Sequence, residues 1–127
     1  MKLFVYSVCT GLLLASGAAS AEVDRTLRAY VKSVDTAKST ITFRNFNQEN
    51  KQWEEITANF GQNKDWKKCE VNEFKCEAAT MDLVKELHKD SKVFVDVLKE
   101  NGSQDWNLTF LRTLPSKASM PGDADTQ

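Results

Sequence analysis

Apolar side chains recur at intervals of two over most of this chain, and that period predicts strands. Leu27, Ala29 and Val31 alternate with Arg28, Tyr30 and Lys32, which gives a half-buried strand over 27–34. Ile41 and Phe43, set against Thr40, Thr42 and Arg44, give a second strand over 40–46. The polar stretch Asn47–Gln52 reads as a hairpin loop, and Trp53–Phe60 as the returning strand. Ile56, Ala58 and Phe60 share the inward face of that strand, while Trp53 has the opposite parity. Val93, Val95 and Val97 predict a strand over 93–98, and Asn101-Gly102 is a strong hairpin signal. Trp106, Leu108 and Phe110 then predict a last strand over 106–114, with all three on one face.

The period changes at one place. Leu83 and Leu87 stand four apart in Thr80–Lys89, with Thr80 suited to an N-cap and Asp82 to the first turn, which predicts a short helix. Residues 61–79 show no clean period and read as a long loop, packed down by Trp66 and Phe74 and stapled by Cys69 and Cys76. Residues 115–127 are polar, carry both prolines and read as a disordered tail. The expected class is all-β with one short helix. Three strands, a helix and two strands (β-β-β-α-β-β) is the order of a five-stranded OB-fold-like barrel whose helix closes one end.

Length and composition narrow the setting. With 127 residues the chain is expected to hold one small domain, placed at 22–114. Residues 1–21 read as a secretory signal peptide: Lys2, then the apolar run Leu3–Leu14, then Ala19-Ser20-Ala21 before the cut. The expected location is therefore periplasmic or secreted, after cleavage near Ala21. In an oxidising compartment Cys69 and Cys76 are expected to form a disulfide, with free thiols or metal ligands as the alternatives. Lys and Arg number 17 against 18 Asp and Glu, so no basic excess invites nucleic acid. Nothing after residue 21 is long and apolar enough to predict a membrane span.

The stretch Ile41–Phe60 resembles the small periplasmic copper/silver chaperones of Cus-type efflux systems. Ile41 and Thr42 match the start of that family's histidine-bearing strand, and Trp53, Glu55, Thr57 and Phe60 match its tryptophan strand. Val31-Lys32-Ser33-Val34-Asp35 is similar to its first strand, so the resemblance covers roughly residues 29–60. It implies an OB-fold barrel in the bacterial periplasm. It also implies a metal site that this chain has replaced. Arg44 and Asn45 stand in place of the histidine, and Ile56 and Ala58 in place of two methionines. A soft cuprous ion needs thioether, imidazole or thiolate donors, and these four side chains offer none. In the family the ring corresponding to Trp53 covers the ion.

Other chemistry is sparse. His88 is the only histidine and has no neighbouring nucleophile, so it builds no triad. Glu54 and Glu55 are adjacent on a strand and point to opposite faces. No phosphate loop, zinc motif or nucleophile elbow occurs, and no enzyme activity or cofactor is expected. The expectation is a binding module for an envelope protein partner or a small ligand, using Trp53, Arg44, Asn45, Tyr30 and Lys32. The alternative is a copper carrier whose ligands are Cys69, Cys76, Met81 and His88.

Overall fold

The computed structural model of the chain describes residues 22–122, and the expected signal peptide lies outside them. The strands are β1 (Glu22–Asp35), β2 (Thr40–Asn47), β3 (Gln52–Asn59), β4 (Trp66–Cys69), β5 (Cys76–Ala79), β6 (Lys92–Glu100) and β7 (Trp106–Thr113). A six-residue 3-10 helix, Met81–Glu86, lies between β5 and β6. The class is all-β, as the alternation predicted. All seven strands form one sheet in the order β3-β2-β1-β6-β7-β4-β5. Along the chain that is five strands, the 3-10 helix and two strands, in one seven-stranded sheet, which differs from the expected five-stranded barrel with the order β-β-β-α-β-β.

The two additional strands come from the segment read as a loop. Trp66–Cys69 and Cys76–Ala79 pair antiparallel, with Cys69 directly opposite Cys76. β4 then adds to β7 in parallel through Trp66 and Lys67. Runs of four residues are too short to display a period, which is why alternation did not reveal them. Trp66 is buried, meets Phe60 edge-on at 6.0 Å and donates its indole N–H to the Asn63 carbonyl. Phe74, expected to pack this segment down, is instead 95% exposed at the hairpin tip.

β1 is long because it serves two neighbours. Glu22–Tyr30 pairs with β6, and Tyr30–Asp35 pairs with β2. Residues 22–26, which precede the strand predicted over 27–34, are therefore part of it. Tyr30 is the changeover residue, opposite Lys92 on one side and Arg44 on the other. β3 pairs with β2 along its whole length and also meets the start of β7 in parallel, Ala58 against Trp106 and Asn59 against Asn107.

The core fills the inner face with Leu27, Ala29, Val31, Ile41, Phe43, Ile56, Ala58, Val93, Val95, Val97, Leu108 and Leu111. Each large side chain buried this way contributes about 1.5–3 kcal/mol. Two bulges reset the parity. In β1 the register shifts between Val31 and Ser33, which leaves Lys32 and Ser33 both exposed. In β7 Phe110 faces Asp96 while Leu108 faces Val97, so Thr109 is the extra residue. Leu111 consequently takes the inward place, and Phe110 lies against Phe94, with ring centroids 6.1 Å apart. Phe110 does not share the face of Leu108, contrary to the alternation.

The predicted helix is shorter and tighter than expected. Thr80 caps it by accepting from the Asp82 amide, Leu83 and Val84 are buried, and Leu87 already has extended backbone. The stretch 115–122, expected to be disordered, runs as a strap over the outer face of the sheet. Leu114, Ala118 and Met120 form a second apolar cluster there with Tyr30 and Phe94.

Candidate functional site

The outer face where β1, β2 and β3 run side by side gathers the aromatic and cationic residues of the predicted site. Arg44 stands opposite Glu55 on β3 and opposite Tyr30 on β1. Trp53 is paired with Phe46 two residues along the same β2–β3 ladder. Side chains two apart on a strand share a face, so Arg44 and Phe46 stand together there. The Arg44 guanidinium carbon lies 4.5 Å from the Trp53 ring centroid and 5.2 Å from that of Tyr30. The two rings are 6.1 Å apart and tilted by 47°. Phe46 meets Trp53 edge-on at 5.2 Å. A cation over each exposed ring is worth about 0.5–1 kcal/mol, so the cluster is preorganised rather than loosely assembled.

Trp53 is 41% exposed, which answers the question its parity left open: the ring borders solvent. Arg44 approaches Asp90 at 3.5 Å, a long contact that leaves the guanidinium mainly against the rings. Lys32 borders the cluster, with its ammonium 2.7 Å from Glu55. Asn45 does not join it. Its side chain is buried, and its amide donates to Glu54 at 3.0 Å. Strand alternation turns it away from the face that holds Arg44. Arg25 donates to the same Glu54 oxygen at 2.7 Å. That bond holds the Glu54 carboxyl below its ordinary range, against the opposing effect of burial.

The residues of the copper alternative fall elsewhere. Cys69 and Cys76 are joined in a disulfide, and a disulfide sulfur is not a thiolate donor. Cys69 and His88 border a common hollow of about 410 Å³ that includes neither Cys76 nor Met81. Among the described residues no three His, Cys, Asp or Glu side chains stand close enough to share an ion. The positions that match the chaperones' methionines, Ile56 and Ala58, are buried in the core at 5% and 0% exposure.

Sequence reasoning missed the strap. Lys92 donates its ammonium to the carbonyls of Ser116 and Ala118, at 2.7 and 2.8 Å. Arg28 donates Nε and Nη2 to the Ser119 carbonyl, at 3.0 and 2.8 Å. Gly122 ends the strap against Trp53 and Phe46. A Cβ there would lie 2.9 Å from Trp53 Cζ2, and φ is +93°. Glycine meets both demands, since it has no side chain and tolerates positive φ. The only signal in the sequence was the alternation of Ala118, Met120 and Gly122 in a polar setting.

Arg28 also forms a two-pronged pair with Glu73 of the disulfide hairpin, at 2.8 and 3.1 Å. The strap, the sheet and the hairpin tip are thus tied at one guanidinium. Among the described residues no helix is long and apolar enough to cross a membrane. No protein-family model, curated protein or solved structure matches this chain.

Proposed function

We propose that this chain is a non-enzymatic binding module of the bacterial envelope that recognises a protein partner or small ligand through the Tyr30–Arg44–Trp53 face. It is a relative of the periplasmic copper/silver chaperones that has lost their ligands. The observation that carries the reading is the guanidinium of Arg44 held against two rings, one of them open to solvent. Such a surface offers flat apolar area at low entropic cost together with charged donors, the combination enriched where interfaces concentrate their energy.

The scaffold is an OB-type barrel extended by the β4–β5 hairpin. Two features support this. β1 is shared between β2 and β6, and the parallel meeting of β3 with β7 joins the two ends of β3-β2-β1-β6-β7. Copper carriage by Cys69, Cys76, Met81 and His88 would first require reduction of the disulfide.

A photo-reactive side chain placed at Gln52, beside Trp53, tests the reading in the exported protein. The expected result is a discrete adduct that is lost in Arg44→Ala and Trp53→Ala and kept in Lys85→Ala on the 3-10 helix. An adduct indifferent to Arg44 and Trp53 would sink the proposal. So would Cu(I) bound by the unreduced protein at micromolar affinity or tighter.

A further inference from the structure

β5 stands last in the strand order, and among the described residues β4 is its only strand neighbour. Half of a strand's amides and carbonyls point to each side, so those on the outer side of β5 meet no strand. Cys76–Ala79 contains no proline and one charge, Glu77, which is exposed together with Ala78. Extended backbone continues through Thr80, with φ −122° and ψ 179°. Large apolar side chains stand open beyond both ends of this edge. Phe74, two residues before β5, is 95% exposed, and Met81, two residues after it, is 40% exposed. Each is followed by an exposed charge, Lys75 in one case and Asp82 in the other.

Phe74 is held in its exposed place. Asn72 Oδ1 accepts from the amides of Phe74 and Lys75, at 2.8 and 3.0 Å. Arg28 grips the Glu73 carboxylate, and Arg112 donates to the Glu73 carbonyl at 3.1 Å. The disulfide closes the same loop. A group already fixed loses little freedom on docking, so this loop is prepared for contact.

We propose that β5 pairs antiparallel with β5 of a second copy of this chain across a two-fold axis, joining two sheets edge to edge. Such an axis brings the start of β5 in one subunit to the end of β5 in the other. With Glu77 facing Ala78 of the partner subunit, Phe74 falls opposite Met81 of the partner subunit, apolar against apolar. Lys75 falls at the end that carries the partner subunit's Asp82, cation against anion. An axis through Glu77 would set like charges face to face, and one through Ala78 would set Phe74 against a carboxylate. One register thus satisfies both ends of the edge at once, and this self-complementarity selects a second copy over a foreign strand. The surface shares no residue with the Tyr30–Arg44–Trp53 face. Strands this short bury little area, so the dimer is weak, with a dissociation constant on the order of 10–100 µM.

Sedimentation velocity of the exported, disulfide-bonded chain, from about 1 µM to about 1 mM, tests this. The unaltered chain should pass from monomer to dimer and no further. Phe74→Asp and Met81→Asp should each weaken the dimer at least about tenfold, since each contact occurs twice. Lys75→Asp and Asp82→Lys should each weaken it about threefold to tenfold, and the two together should restore it. Within one chain the two positions lie about 20 Å apart along an extended strand, so rescue reports a contact between subunits. All four side chains are exposed, so the variants should fold, with far-ultraviolet circular dichroism unchanged. A chain that stays monomeric at about 1 mM overturns the proposal, and the edge would then belong to a strand of another protein. A dimer that Phe74→Asp and Met81→Asp leave intact, or a double charge exchange no stronger than the single ones, overturns it as well.

Discussion

Glu54 is held ionised by its neighbours. Arg25 donates to it first, burial opposes ionisation, and Asn45 and Asn47 add further donors. Its folded pKa lies below the ordinary value of 4.5, so its contribution is full above that pH and fades as pH falls through the folded value. Glu54→Gln should therefore cost about 1 kcal/mol at pH 7 and less as pH falls below the ordinary carboxylate range, read from urea unfolding across that range. A cost that does not change with pH would show that the carboxylate charge plays no part. At this scale the sequence was informative where parity alone decides. Tyr30, Arg44 and Trp53 were assigned to one face and meet there. Asn45 was grouped with Arg44 because both stand where the resembled family has its histidine, whereas strict alternation sends its side chain inward to Glu54.

The β4–β5 hairpin is the element that the sequence concealed most. Its strands are four residues each, and its apolar side chains divide between the core at Trp66 and solvent at Val71 and Phe74. What the sequence did disclose was the staple. Cys69 and Cys76 face each other in the ladder, so a slip of one residue would send the sulfurs to opposite sides of the sheet. The bridge thus enforces register in a pair too short to hold its own. Replacing both cysteines by alanine should lower stability by about 2 kcal/mol, the constraint expected of so short a closed loop. Urea midpoints with and without reductant should coincide for the variant and differ for the unaltered protein. Bulges account for the other errors at this scale. Thr109 adds one residue to β7 and reverses every side chain beyond it, which is how Phe110 left the predicted face and Leu111 took its place.

In the molecule as a whole, the joins differ in strength. β1 and β6 share nine residue pairs, whereas β3 and β7 meet over two. Local opening should therefore begin at the β3–β7 seam. In hydrogen exchange, the amides of Asn59 and Asn107 should exchange well before those of Val95 and Val97, and uniform protection across the sheet would refute this. The all-β class was readable from alternation, since one face of nearly every strand is apolar. The strap was not readable, because it adheres largely through backbone carbonyls, which every sequence possesses and none advertises. Its position in the chain also bears on biosynthesis. A ribosome delivers Tyr30 and Phe94 before it delivers the Ala118 and Met120 that cover them. Until those two residues emerge, the nascent sheet presents a bare aromatic surface at Tyr30 and Phe94, and a premature stop after Leu114 would make that sticky condition permanent.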